Sequence, residues 1–202
     1  MAIRAGADAL GFVGKMPSGP GPIADELIAS ITKNVHPPIA SFLLTSEQSA
    51  PAIIEHIKRV HTNTVQIVDE LADGSYMQIR EALPHVRIVQ VIHVTGAESI
   101  DQALHVQAHV DAILLDSGNP KLLVKTLGGT GNMHDWHISR ELVVAVNVPV
   151  FLAGGLNAEN VAEAIDTVRP FAVDVCSGVR TNGKLDKQKL QSFIAAVKSI
   201  SP

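Results

Sequence analysis

The stretch Val150-Phe-Leu-Ala-Gly-Gly-Leu-Asn-Ala-Glu-Asn-Val-Ala-Glu-Ala-Ile-Asp-Thr-Val-Arg-Pro-Phe-Ala-Val-Asp-Val175 holds one complete turn of the pattern that decides the fold. Val150–Ala153 is an apolar run of strand length, and Ala172–Val175 is another. Between them, Ala158–Val168 spaces its apolar residues at helical intervals. A strand, a helix and a second strand form a crossover that lays the two strands side by side in parallel.

The same unit recurs toward the N-terminus. Apolar runs at Ala9–Val13, Ile39–Leu44, Thr64–Val68, Arg87–His93 and Ala112–Leu115 bring the count to seven strands, whose starts lie 30, 25, 23, 25, 38 and 22 residues apart. Helical periodicity fills the intervals at Ile23–Val35, Ala52–Val60, Gly74–Leu83, Ile100–Ala108 and Ile138–Val146, and Lys187–Ile200 closes the chain. Strands this uniformly apolar belong to a sheet covered on both faces, either an open doubly wound sheet or a closed barrel, and spacing alone does not choose. A (β/α)₈ TIM barrel needs eight strands and about 250 residues; here there are seven in 202. Met1–Ala5 reads as the last turn of a helix, so the pattern enters one strand late, lacking the first β-strand and most of the first helix. No linker or low-complexity tract interrupts it, and a single domain over residues 1–202 is expected.

Composition narrows the function. With 46% hydrophobic residues the chain can bury a large core. A net charge of -4 and 3% aromatic residues offer neither a basic field nor stacking platforms, so nucleic acid is an unsuitable partner. No apolar run approaches the roughly 20 residues that cross a bilayer. The start lacks a basic segment followed by an apolar one, and the single Cys176 has no partner for an internal disulfide. A cytoplasmic location is expected.

In either parallel architecture the loops after the strands gather at one end and carry the site. Three late loops are glycine-rich: the one after Leu115 containing Gly128 and Gly129, the one containing Gly154 and Gly155, and the one containing Ser177 and Gly178. Glycine lets backbone N–H groups approach an anion closely, although each is also an ordinary turn residue. Asp116 closes an apolar strand, as a general acid at a barrel mouth or as a loop or capping carboxylate. Asp174 interrupts the apolar Phe171–Val175, where a lone charge is costly, so it is expected to point inward and bind something. Cys176 shares its parity, as a base or nucleophile or as a small buried hydrophobe. His105 with His109, and His134 with His137, lack a flanking pattern specific for metal, so no metal site is expected.

Five ordered segments resemble the phosphoribosylanthranilate isomerase family: Gly6-Ala-Asp-Ala-Leu-Gly-Phe-Val13, Ala112-Ile-Leu-Leu-Asp-Ser117, Gly128-Gly-Thr-Gly131 with Asp135-Trp136, Leu152-Ala-Gly-Gly-Leu-Asn157, and Val173-Asp-Val-Cys-Ser-Gly-Val179. The resemblance implies a (β/α)₈ barrel and, as part of tryptophan biosynthesis, an Amadori rearrangement of a phosphoribosylamine to a ketose by proton transfers, without metal or organic cofactor. It implies that Asp116 is the general acid and Asp174 the carboxylate near the substrate amine. It further implies that Gly154, Gly155, Ser177 and Gly178 hold phosphate and that Gln66 is the family's strand glutamine. The alternative is an idle or re-purposed paralogue that binds a phosphorylated metabolite.

Departures from the family pattern concern the chemistry. The family's base is a cysteine in a Lys-Ile-Cys-Gly first strand with no counterpart here, and its Ser-Pro-Arg carboxylate clamp is replaced by Met16-Pro-Ser-Gly-Pro-Gly-Pro22. Ile67-Val68-Asp69 stands where the family has Leu-His-Gly, and Arg180 where a glutamate is common. Cys176 is then the candidate replacement base. Either about 18 residues, a typical strand and most of a helix, precede Met1 in the gene, or the short sheet has two bare edges and is expected to form a homodimer, close as a distorted seven-strand barrel, or aggregate.

Overall fold

The computed structural model describes residues 1–17, 21–118 and 134–200. In chain order the elements are α1 (Ala2–Ala5), β1 (Ala9–Val13), α2 (Asp25–Thr32), β2 (Ala40–Thr45), α3 (Ala50–Val60), β3 (Thr64–Ile67), α4 (Tyr76–Ala82) and β4 (Arg87–His93). Then come α5 (Glu98–Val106), β5 (Ala112–Asp116), α6 (Trp136–Ala145), β6 (Val150–Leu152), α7 (Val161–Val168) and β7 (Ala172–Val173). A 3₁₀ turn (Ser177–Val179), β8 (Arg180–Thr181), β9 (Lys184–Leu185) and α8 (Lys187–Lys198) complete the described chain. Helix starts follow local chemistry: Ser49 accepts from the Ala52 amide with Pro51 in the first turn of α3, Ser75 and Gln78 cap α4 reciprocally, and Asp135 accepts from the His137 amide at α6.

All seven main strands pair in sequence order and in parallel, β1 through β7. The sheet curls like a barrel wall, and among the described residues β1 and β7 each have one strand neighbour rather than two. Alternate residues divide the apolar content between two layers. Leu43, Val65, Ile67, Ile88, Ile92, Ile113, Leu115 and Leu152 face the helices and form the larger core with Ile53, Ile57, Ile79 and Leu142. Val89, Val91, Ala112, Leu114 and Ala153 face the concave side, where Phe42, Leu44 and Phe151 pack with them. Burying each Leu, Ile or Val stabilises by about 1.5–3 kcal/mol before chain entropy is counted.

Two details differ from the sequence reading. Pairing in β7 stops at Val173 rather than running to Val175, because only β6 lies beside it and Asp174 contributes a single further bond to the Leu152 carbonyl. Residues Arg180–Leu185, which the apolar runs did not mark as strand, form a small antiparallel hairpin reversed by Asn182 and Gly183 at φ 51° and 75°.

At the opposite end of the strands from the site, Asp111 ties helix to sheet. Its carboxylate accepts from the Ile88 amide at 2.8 Å, from Arg80 at 3.1 Å and from Arg87 at 3.1 Å. Burial alone would raise this carboxyl, but the amide and the two guanidinium groups outweigh it and hold it below the usual range. An Asp111→Asn variant should lose about 1–3 kcal/mol at neutral pH in urea unfolding, since charge-assisted bonds to a partly buried group are lost. A lowered carboxyl stabilises above its unfolded value near 3.8 and loses that contribution as pH falls through its folded value. The gap between variant and parent should therefore narrow in melts recorded below about pH 4.

Candidate active site

Strand register decides which side chains meet at the C-terminal mouth. The pairs Gln66 with Val89, Val89 with Ala112, His93 with Asp116, and Phe151 with Ala172 run continuously along the concave face. Asp116 and Asp174 therefore both face inward, as expected from sequence. They stand two strands apart, about 10 Å between backbones at the usual strand spacing. Gln66 lies on the same face and is buried. Asp116 Oδ1 accepts from the Ser117 amide at 2.7 Å, which fixes the carboxyl's orientation where the strand ends.

The two carboxylates influence each other. Crowding by protein atoms, then the negative charge of Asp116, push the Asp174 carboxyl up to about 6, against the pull of the Val175 amide. Asp174 is nevertheless exposed to solvent, which favours the ionised carboxyl and works against the rise. Burial pushes the Cys176 thiol up; Arg180, its hydrogen-bond partner, opposes this, while Asp174 and Asp116 reinforce it, and the net direction is upward. His134, close enough to feel Asp116, is lowered by burial despite the opposing charges of Asp116 and Asp135.

The glycine loops converge. Gly154 and Gly155 have φ of 85° and 67°, and among the described residues their N–H groups donate to no backbone carbonyl. A β-carbon at Gly154 would lie 3.0 Å from the Ser117 amide nitrogen and 3.0 Å from His134 Nδ1, so the segments after β5 press against the loop after β6. A β-carbon at Gly178 would overlap the Leu156 carbonyl oxygen, so the loop after β7 presses against the same loop from the other side. Asn157 and Asn160 stiffen it, Asn157 Oδ1 accepting from the Glu159 and Asn160 amides and Asn160 Nδ2 donating to the Gly155 carbonyl. Amides held this way, ahead of α7, have an arrangement that suits an anion.

Gly128 and Gly129 lie outside the described residues. Among the described residues no group of three or more His, Cys, Asp or Glu side chains is gathered to hold a metal ion, and no helix is long and apolar enough to cross a membrane. Two further residues stand at the mouth, Arg180, which the sequence reading noted only as a departure from the family pattern, and His93, which it passed over. Arg180 donates from Nη1 to the Gly183 carbonyl and lies with Nη2 3.6 Å from a β-carbon built on Gly21, spanning the open side. His93 closes β4 beside Asp116, and its inward parity with Val89 and Val91 was the available signal.

The sequence profile of the N-(5'-phosphoribosyl)anthranilate isomerase family matches residues 2–196. An N-(5'-phosphoribosyl)anthranilate isomerase from Methanocella arvoryzae is 34% identical over 96% of this chain and 89% of its own length. The crystal structure of phosphoribosyl anthranilate isomerase from Thermotoga maritima superposes with TM-score 0.79 at 29% identity, covering 98% of this chain and 92% of that one. A crystal structure of phosphoribosyl anthranilate isomerase in complex with reduced 1-(o-carboxyphenylamino)-1-deoxyribulose 5-phosphate superposes with TM-score 0.76 at 27% identity, covering 98% of this chain and 91% of that one.

A carboxyl raised in the folded state favours folding fully below its unfolded value and loses that contribution as pH rises through its folded value. For Asp174 this window runs from 3.8 to about 6. Thermal melts should show Asp174→Asn more stable than the parent at pH 7 and indistinguishable from it below about pH 4.

Proposed function

This chain belongs to the N-(5'-phosphoribosyl)anthranilate isomerase family, and from that membership and the barrel mouth we propose that it rearranges N-(5'-phosphoribosyl)anthranilate to the corresponding 1-amino-1-deoxyribulose 5-phosphate, a cytoplasmic step of tryptophan synthesis carried by a single domain. The observation that carries the reading is the pair of inward carboxylates beside a cradle of glycine amides. Gly154, Gly155, Ser177 and Gly178 receive the phosphate, and Gln66 lines the floor beneath the sugar.

The reaction needs only proton transfers. Asp116 protonates the ring oxygen; the C1–O bond breaks with its electrons on oxygen, and the nitrogen lone pair closes a C1=N iminium. A base then removes the proton from C2, whose bonding electrons form an enolamine. The enol hydroxyl loses its proton as C1 gains one, giving the aminoketone. Cys176 and Asp174 are the candidate bases. Of these, the thiol is held protonated by burial and by Asp174, whereas a carboxyl near 6 is ionised at neutral pH and more basic than an ordinary one. Asp174 therefore takes the C2 proton, and Cys176 lines the site beside it.

The edges of β1 and β7, which pair with no further strand among the described residues, and the 75% exposed Phe171 before β7 suit pairing with a second copy of the chain. Light scattering on a sizing column should give the mass of a dimer at tens of micromolar; a monomer at that concentration excludes this arrangement.

The fluorescence loss of N-(5'-phosphoribosyl)anthranilate on rearrangement, and growth of a strain lacking the isomerase, test the activity. Asp116→Asn and Asp174→Asn should each lose about 10²–10⁴-fold in kcat, the usual worth of general acid–base catalysis, while Cys176→Ser stays within a few-fold. A larger loss in Cys176→Ser than in Asp174→Asn would make the thiol the base. Tight binding of the reduced product analogue without turnover would leave the alternative, a protein that binds a phosphorylated metabolite.

A further inference from the structure

Arg180 carries a charge that the proposed chemistry does not use. It opens the hairpin after β7, where β8 pairs it with Leu185 and Lys189 Nζ donates to its carbonyl at 3.0 Å, so its backbone is pinned. The residue is partly buried. Its Nη1 donates to the Gly183 carbonyl at 2.8 Å, and the guanidinium bonds the Cys176 thiol. Nη2 and Cζ lie 3.6 and 4.0 Å from a β-carbon built on Gly21, so the group reaches across the open side to the loop after β1. Among the described residues no carboxylate pairs with it. A guanidinium offers more N–H donors than one carbonyl and one thiol engage, and a charge drawn partly out of water is stabilised by an opposite one.

Position says which anion it suits. The segment after β7 has two flanks: Gly178 presses on the Leu156 carbonyl in the loop after β6, whereas Arg180 reaches Gly21 in the loop after β1. The amides read as the phosphate cradle thus lie toward one neighbour and the guanidinium toward the other. The charges of Arg180, Asp174 and Asp116 all bear on the Cys176 thiol, which puts the guanidinium at the same mouth as the two carboxylates. The proposed substrate has a matching polarity, with a phosphate on C5 of the sugar and an aromatic carboxylate on the amine at C1, next to the reacting carbons. We propose that Arg180 receives this carboxylate through its unengaged N–H groups and so sets which amine the site accepts. The inference rests on the isomerase reading, which supplies the second anion. A planar fork matches a carboxylate better than an ammonium does. Met16, on the same loop as Gly21, packs against the concave apolar layer as Phe42 and Leu44 do, which gives the aryl ring an apolar face. Lys15, the cation of that loop, is exposed.

Calorimetric binding of two probes to the intact chain and to Arg180→Met reads the contact without turnover. One probe is the reduced product analogue with its o-carboxyl group; the other is the same compound made with aniline, which lacks that group. Arg180→Met should weaken the first by about 10–100-fold, the usual worth of a hydrogen bond to a charged group. It should weaken the second by less than about threefold, since the guanidinium then has nothing to hold. Arg180→Lys should fall between, keeping the charge and losing the fork. Inorganic phosphate should bind the parent and Arg180→Met within about threefold of each other, whereas a collapsed hairpin would weaken all three ligands. Equal binding of the two probes by the parent, equal weakening of both in Arg180→Met, or the selective loss appearing in Lys15→Gln instead overturns the proposal and leaves the phosphate cradle standing. A parent that binds neither probe nor phosphate overturns the cradle, the isomerase reading and this inference together.

Discussion

Everything at the mouth depends on the hydrogen-bonded register of β4 to β7. Because side chains alternate across a strand, the ladder that pairs His93 with Asp116 and sets Asp174 beside Ala153 also sends Ile92, Leu115 and Val173 to the helices. A slip of one residue would bury two carboxylates in the outer core and turn leucine toward the substrate. The apolar layer on the convex side thus holds the proposed catalytic geometry in place, since its cohesion is what forbids the slip.

On that scaffold charge and dipole are supplied from different parts of the chain. The ionisable groups stand on strand ends, where the sheet limits their movement, while the proposed phosphate cradle is made of loop amides that carry no net charge to be desolvated. Placing two carboxylates on one concave face makes them compete for protons, and competition is useful to a reaction that needs one group to give a proton and another to take one. The concave layer below them is filled by Phe42, Phe151 and short aliphatic side chains, so the reacting groups lie only at the rim.

Most of this arrangement was legible in the sequence. Unbroken apolar runs announced the strands, and the parity of Asp174 within Phe171–Val175 announced that it faces inward, because an extended chain alternates whatever its neighbours do. What depended on neighbours was less legible. The end of β7 was overestimated because pairing length is set by the adjacent strand, not by apolar composition. The start of α6 at Trp136 rather than Ile138 follows from Asp135, a cap that hydrophobic periodicity does not register. Nine histidines look alike in a sequence; only strand register sets His93 beside Asp116.

The meeting of Gly178 with the Leu156 carbonyl makes the last two loops a single interlocked body. Neither surface was shaped alone, since the missing side chain on one is the room occupied by the other's backbone. A chimeric barrel that exchanged its final quarter with a relative's could not be spliced between α7 and β7 without setting an unfamiliar contour into that socket. The natural seam for recombination lies earlier, before β6, where both halves of the joint travel together.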